Sequence, residues 1–338
     1  MNRPINILIV CGKTFYPNPF ITTLACAINS SSFPVDMGTD EFWLMRKHYD
    51  IIHVNWPEIF FNWRIPTLDG LRAFTTVLQI WKQRGTKIVY TRHDEKSHYC
   101  TNENSISLFR LMEDYADVVV HLGIFSRDKL ILENRQCEQL HMVVPHHNYD
   151  SIYRNNISKK EARQVFNIPA DKIVMLAFGG FRHEEEYTLV QNAFDDWDNP
   201  DKFLLAPSWN YSDGYTPSAG MLGTGTVDEN MLPYCFAASD IVFIQRLRLL
   251  NSGNLPMAFL FNKTVVGPAI GNITALLDNE NNFSFDPFDR KSVNNAMNKA
   301  VNRLRQGTQS NVHFAKDNWS LSIISEKYKQ IYLAICSI

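Results

Sequence analysis

Asn251-Ser252-Gly253-Asn254 stands immediately before an apolar stretch with helical character, Leu255–Phe261. A Ser/Gly turn feeding a helix presents backbone N–H groups and the positive end of the helix dipole to an anion. Arg246 and Arg248 lie just upstream, and Arg182 follows another short apolar run. Guanidinium groups add charge-assisted bonds to phosphate oxygens, so these residue types together suit a diphosphate. They equally describe an N-cap beside solvated arginines. His93, inside Thr91-Arg92-His93-Asp94-Glu95, is the second candidate. An imidazole at the end of an apolar run can contact a hydroxyl or a reacting group, or it can be a satisfied structural residue. Asp94 and Glu95 are alternative polar partners there.

These residues need elements to position them, and the chain supplies a regular series. β-branched runs at Ile5–Val10, Ile51–Trp56, Lys87–Thr91, Val118–Leu122 and Met142–Val144 alternate with helical patterns at Phe20–Ile28, Leu68–Arg84, Ile106–Tyr115 and Ser126–Glu133. Continuous apolar runs of this kind predict parallel strands buried on both faces, with helices on either side. After a polar stretch, Asn148–Lys160, the pattern restarts. A serine cap at Ser158 opens a helix over Lys159–Phe166, followed by strands at Ile173–Phe178, Phe203–Ala206, Ile241–Ile244 and Thr264–Val266. Helices are expected at Glu186–Phe194, Glu229–Ala237 and Leu255–Phe261, then a polar loop, Gln306–Asn318, and a last helix, Trp319–Ile335. The chain has 338 residues, beyond the roughly 250–300 that one core holds, which also argues for two α/β domains. We place them at residues 1–150 and 151–318, and the last helix either completes the second domain or crosses back to brace the first; the resemblance described below implies that 319–338 return to the first.

In open α/β sheets ligands bind beyond the carboxyl ends of the strands. Those positions carry Gly12-Lys13, Asn55-Trp56, Arg92–Glu95, Gly179-Gly180-Phe181-Arg182 and Gln245–Arg248. Two such domains facing each other would share one cleft.

Composition removes several classes. With 33 basic and 35 acidic residues there is no field to hold nucleic acid. Six scattered cysteines, without a CxxC or Cys/His cluster, suggest neither a zinc site nor a disulfide framework. No run approaches the roughly 18 apolar residues of a membrane span, and a cytoplasmic protein is expected. Asp196-Trp197-Asp198 has a spacing used for divalent ions, but it closes a helix where such a motif needs a strand end, so no metal is assigned. Gly220–Gly225 lacks the ending of a phosphate loop and reads as a flexible surface loop. His146-His147 reads as structural, its adjacent side chains pointing apart. Phe60-Phe61-Asn62-Trp63-Arg64 reads either as an acceptor or membrane-facing loop or as a buried aromatic cluster.

The order of Asp50–Pro57, Lys87–His93, Phe178–Arg182 and Ala237–Val242, with the Ser252-Gly253-Asn254 turn, Lys263–Val266 and Gly271-Asn272, resembles the GT-B glycosyltransferases. The likeness is greatest to the retaining group related to family 4 found in bacterial polysaccharide clusters. It covers nearly the whole chain. It implies two Rossmann-like domains facing across a cleft, with a C-terminal helix returning to the N domain. The N domain would bind a glycan or lipid-linked acceptor through Asn55, Trp56, Asp94 and Glu95. A nucleotide-diphosphate sugar, the donor substrate, would bind mainly the C domain, and no separate cofactor is implied. His93 and Arg182 would be catalytic. Gly12, Lys13, Gly180, Arg246, Arg248, Asn251, Ser252, Gly253 and Asn254 would contact the donor, and Asp228 and Glu229 would lie near its nucleoside. The implied activity is retaining, metal-independent sugar transfer in surface polysaccharide biosynthesis, with peripheral membrane contact through a lipid-linked acceptor. The chain departs from that family at Glu185, where a lysine is usual, and at Leu249 and Met257, which replace two glutamates. A sugar-nucleotide epimerase on the same fold and a catalytically silent sugar-nucleotide or glycan-binding protein are the other two readings.

Overall fold

The computed structural model describes residues 3–12, 18–97, 102–133, 139–223, 225–307 and 310–337. The chain divides into two units, Met1–His147 with Leu321–Ile338, and Asn148–Ser320.

Unit 1 contains strands β1 (Ile7–Val10), β2 (Val35–Met37), β3 (Ile51–Val54), β4 (Lys87–Arg92), β5 (Val118–His121) and β6 (Leu140–Val143). Its helices are α1 (Pro19–Ile28), α2 (Asp40–Leu44), α3 (Leu68–Gln83), α4 (Glu103–Tyr115) and α5 (Ile124–Glu133). The sheet order is β2-β1-β3-β4-β5-β6, all parallel. β1 is buried along its whole length, as its unbroken apolar sequence requires, and β3 and β5 are buried throughout with one histidine each, His53 and His121, among apolar residues. Helix starts are locally encoded. Asn18 caps α1 by accepting from Phe20 N–H at 2.9 Å, with Pro19 at the first helical position, and Thr67 and Asn102 cap α3 and α4 in the same way.

Unit 2 repeats the scheme with β7 (Ile173–Ala177), β8 (Lys202–Ala206), β9 (Gly220–Leu222), β10 (Ile241–Phe243), β11 (Thr264–Pro268) and β12 (Phe283–Phe285). Its helices are α6 (Lys159–Val165), α7 (Glu184–Asp195), α8 (Leu232–Ala238), α9 (Asn254–Leu260), α10 (Thr274–Leu277), α11 (Arg290–Arg305) and α12 (Asn311–Trp319). The order β12-β11-β10-β7-β8-β9 is again wholly parallel. Ser158 caps α6 as expected, accepting from Glu161 N–H at 3.1 Å.

Three local expectations are corrected. The stretch 311–318 is helical, because Asn311 turns its amide inward onto Lys263 O (2.7 Å) and Asn282 Oδ1 (2.9 Å), while Ala315 and Trp319 bury four residues apart. The last helix is not continuous from Trp319. Ser320 breaks it in extended conformation, Trp319 stacks on Phe259 in unit 2, and a separate helix, α13 (Leu321–Cys336), packs on α1 in unit 1. Finally, residues 220–222 of the glycine-rich stretch form edge strand β9. Its glycines serve close packing, since a Cβ on Gly223 would fall 1.8 Å from Pro207 O and one on Gly220 2.8 Å from Leu204 O.

α13 is tied to its sheet by a buried polar chain. Tyr332 Oη lies 2.7 Å from His53 Nδ1, His53 Nε2 lies 2.8 Å from Thr91 Oγ1, and Thr91 Oγ1 lies 3.1 Å from Tyr328 Oη. Burial pushes His53 down to about 3, so it is neutral at physiological pH.

Candidate functional site

Each sheet reverses its strand order once, between β1 and β3 in unit 1 and between β7 and β10 in unit 2. The carboxyl ends of those strand pairs are where an open parallel sheet leaves a crevice.

In unit 2 that place is built around the turn after β7. Gly179 has φ +94°, a left-handed conformation that glycine adopts without penalty. Three side chains hold this turn. Gln245 Nε2 donates to Phe178 O and Gly179 O at 3.2 and 3.3 Å, Asn254 Nδ2 donates to Phe178 O at 2.7 Å, and Arg246 Nη2 donates to Gly180 O at 2.6 Å. Gly180 has open space where a Cβ would stand. Thus Gly180, Arg246 and Asn254 are brought together, and Gln245, which sequence reasoning placed at a strand end but gave no role, joins them.

Arg246 is not an uncompensated cation. Its Nη1 pairs with Glu186 Oε2 at 2.5 Å, and the same oxygen accepts from Arg182 N–H at 2.8 Å. Glu186 is 1% exposed and sits in the first turn of α7, where a carboxylate is favoured by the helix dipole. Arg182 is half-buried and Arg248 exposed. In the 251–254 turn, Asn251 Oδ1 accepts from Asn272 Nδ2 at 2.8 Å, and a Cβ on Gly253 would lie 3.2 Å from Tyr149 Oη. Ser252 is half-buried there, and the helix that follows, α9, has only seven residues. Asp228 and Glu229 are exposed. Asp228 caps a short 3-10 turn, and Glu229 accepts from Tyr153 Oη at 3.1 Å.

The three departures from the glycosyltransferase pattern have clear surroundings. Met257 is buried on the core face of α9 and Leu249 packs against the same cluster. Glu185 is exposed and lines a groove of about 230 Å³ with Leu247, Asp196, Arg290 and Phe288. Asp196 is engaged by Arg290 through two bonds, 2.6 and 2.8 Å. Among the described residues no group of three or more His, Cys, Asp and Glu is placed to hold a metal ion.

In unit 1, Gly12 follows β1; Lys13 lies outside the described residues. Asn55 and Trp56 follow β3, and His93 follows β4. His93 Nε2 lies 3.0 Å from Asn55 Oδ1, its ring stacks on Trp56 at 4.1 Å, and Phe20 meets it edge-on at 5.1 Å. Burial outweighs the neighbouring Asp94 and moves His93 down to about 4. Asp94 is half-buried, and Glu95 accepts from Lys129 Nζ at 2.6 Å. His146 and His147 do not point apart into separate surroundings. Both pack on Phe20, at 4.3 and 4.9 Å, and burial depresses both. Nothing in the local sequence signals this, because the cluster draws on positions 20, 56, 93, 146 and 147. The aromatic stretch divides. Phe60 is buried against Phe42 and Phe74, whereas Trp63 and Arg64 are exposed.

No protein-family profile and no curated protein matches the chain in sequence. Solved structures do match in shape. Sucrose-phosphate synthase from Thermosynechococcus elongatus aligns with TM-score 0.71 at 13% identity, covering 99% of this chain and 100% of that one. HepE from Anabaena in complex with UDP-glucose aligns with TM-score 0.71 at 14% identity, covering 98% and 100%. The chain has the GT-B fold. A UDP-GlcNAc 2-epimerase from Neisseria meningitidis, bound to UDP-GlcNAc, aligns less well, with TM-score 0.61 at 9% identity over 98% and 100%. No helix among the described residues is long and apolar enough to cross a membrane.

Proposed function

We propose that the protein is a glycosyltransferase that moves a sugar from a nucleotide-diphosphate sugar to a glycan or lipid-linked acceptor. The observation that carries this is full-length likeness to a synthase and to a protein holding UDP-glucose. The polar strand-end turn at Gly179-Gly180, with Arg246 and Arg182, agrees with it. Unit 2 takes the donor role, through Arg182, Gly180 and the 251–254 turn, and unit 1 the acceptor role. Arg182 and backbone amides stabilise the charge that develops on the departing diphosphate. In a retaining reaction the bond from the anomeric carbon to the phosphate oxygen breaks. The acceptor oxygen bonds the same face, and its proton passes to the leaving phosphate. No divalent ion is assigned a role in this scheme, and surface polysaccharide is the product class.

A panel of UDP-, GDP-, ADP- and dTDP-sugars, each with and without EDTA, tests the donor assignment by thermal shift. A ligand that binds only the folded state raises Tm. At least one sugar nucleotide is expected to do so in EDTA, and Arg182→Ala to abolish the response. A strict requirement for a divalent ion, or an undiminished response in Arg182→Ala, contradicts the proposal. The epimerase reading, favoured by the UDP-GlcNAc 2-epimerase likeness, predicts instead an epimerised nucleotide sugar without any acceptor.

The lipid-linked acceptor goes with peripheral membrane contact. Trp63, Ile65, Leu68, Ile124 and Phe125 are exposed apolar residues following β3 and β5, at the carboxyl end of the unit 1 sheet. Such side chains suit the interfacial layer of a bilayer. The protein is expected to co-sediment with vesicles of phosphatidylcholine and phosphatidylglycerol, and the triple change Trp63→Ser, Ile65→Ser, Leu68→Ser to release it. Equal sedimentation of the variant would exclude this surface.

A further inference from the structure

The sheet of unit 1 ends at β6, whose outer side is an open strand edge. β6 pairs with β5 from Leu140, whose N–H bonds Asp117 O at 3.1 Å, to Val144 just past its end, whose N–H bonds His121 O at 2.9 Å. The N–H and C=O of one strand residue point the same way, and successive residues alternate, so His141 and Val143 turn theirs outward. Among the described residues no strand pairs with them. An unpaired edge is a template for another strand, and proteins blunt it with charge, proline or shortness. Of the four edge strands described, β2, β9 and β12 have three residues each, and β2 carries Asp36, engaged by Lys47 Nζ and Tyr49 Oη. β6 has four residues, with no Asp, Glu, Lys, Arg or Pro among them.

Its side chains are as open as its backbone. His141 turns toward the face covered by α5, where its Nδ1 lies 3.0 Å from His121 Nε2. Leu140 and Met142 therefore point to the opposite face, and they are 49% and 43% exposed. α5, which packs on β5 and β6, leaves Leu132 77% exposed in its last turn. We propose that β6 pairs antiparallel with β6 of a second copy of this chain, about a two-fold axis at Met142, so that the two unit 1 sheets join into one. A second copy is the occupant because the edge is complementary to itself. It offers donors and acceptors in a symmetric pattern, apolar surface beside them, and no fixed charge that an identical strand would oppose. The proposal goes beyond the glycosyltransferase reading and does not depend on it.

The outward groups set the register. His141 of one copy meets Val143 of the other, each pair exchanging both N–H and C=O, and the two symmetric pairs make four backbone bonds. Met142 then meets its own copy on the axis as a non-hydrogen-bonded pair, in which Cα atoms approach to about 4.5 Å and side chains are closest. Each α5 comes to the same side of the joined sheet, which gives Leu132 an apolar neighbour. The contact is isologous, so it closes at two copies. One short strand pair with one helix a side falls near the lower bound of specific interfaces, about 1,200 Å², and a reversible dimer with a dissociation constant on the order of 10 µM is expected.

Sedimentation equilibrium of the full-length protein, from about 1 to about 200 µM, tests this, with half of the chains expected to be paired near about 10 µM. Met142→Lys sets two ammonium groups against each other on the axis and should weaken the dimer by about tenfold. Its Tm should stay that of the wild type, because lysine is ordinary on an exposed edge. Met142→Glu should weaken the dimer in the same way, and an equimolar mixture of the two variants should form a heterodimer, since opposite charges then meet on the axis. A wild type that stays monomeric throughout, an undiminished dimer in Met142→Lys, no heterodimer in the mixture, or assembly beyond two copies each overturns the proposal. The measured quantity is mass and not ligand binding, so the result stands apart from the donor assignment.

Discussion

Unit 1 is expected to lose most of its stability between pH 7 and pH 5, while unit 2 melts nearly unchanged over the same range. Four histidines of unit 1 are buried and held far below their ordinary 6.5, His53 and His121 at about 3 and His93 and His147 at about 4. Burial is the first cause in every case. The His121 ring sits between Ser126 Oγ at 3.2 Å and His141 Nδ1 at 3.0 Å. An unfolded chain takes up protons at these side chains as the pH falls through 6.5, and the folded unit does not. The stabilisation is therefore complete above about pH 7 and declines toward pH 4. Each group contributes about 1.4 kcal/mol per pH unit inside that window. Four groups at pH 5 amount to about 8 kcal/mol, comparable with the whole stability of an ordinary domain. Glu113 works in the opposite sense, since burial raises its carboxyl, but one group in the carboxylate range cannot offset four. Hydrogen exchange at pH 7.5 and 5.0 checks the result, with amides of β3, β4 and β5 expected to lose protection and those of β7, β10 and β11 to keep theirs. Equal protection of unit 1 at both values would mean that the histidines are not held neutral.

That cluster marks the limit of what sequence could show. The central strands were legible because Ile7–Val10, Val118–Val120 and Ile241–Phe243 are unbroken apolar runs buried on both faces. The edge strands β2, β9 and β12 were not, although the edge strand β6 was. Val35–Met37 and Phe283–Phe285 are three residues long and partly exposed, so their composition is that of the loops around them. α11 has a helical stripe, Val293, Ala296, Met297, Ala300 and Val301, but its small side chains are diluted by asparagines and charges. The polar strand ends were visible as a set, since topology dictates where they gather. Their pairings were not visible. Glu186 reads as the third member of an acidic run at a helix start, and only the fold brings it to Arg246, sixty positions away. The GT-B likeness was carried by motif order, and it survives at 13–14% identity because the alternation of buried strand and helix constrains shape more than residue identity.

The Glu186–Arg246 pair also controls how much positive charge the proposed diphosphate site can offer, and Glu186→Gln should expose that control. Arg246 would otherwise be an obvious substitute for the lysine that Glu185 replaces. As built, its charge is balanced by a carboxylate buried beneath the turn, so the pair is nearly neutral toward an incoming anion. Glutamine keeps the shape and can still accept from Arg182 N–H, but it leaves a largely buried guanidinium without its counter-charge. Removing one member of a buried pair costs about 3–5 kcal/mol, because the remaining charge stays desolvated. In a unit of this size that corresponds to a fall in Tm of about 6–20 °C without ligand. A nucleotide diphosphate would then restore the missing negative charge. Affinity for UDP or ADP is expected to rise by about tenfold, equal to roughly 1.4 kcal/mol, and the ligand-induced rise in Tm to exceed that of the wild type. Glu186→Ala should lose the stability and also loosen the turn, since it removes the Glu186 oxygen that accepts from Arg182 N–H. The two variants thus separate charge from geometry. If Glu186→Gln weakens nucleotide binding as much as Arg182→Ala does, Glu186 orients the arginine for the ligand and does not compete with it. Calorimetric titration of both variants with UDP and ADP decides between these roles.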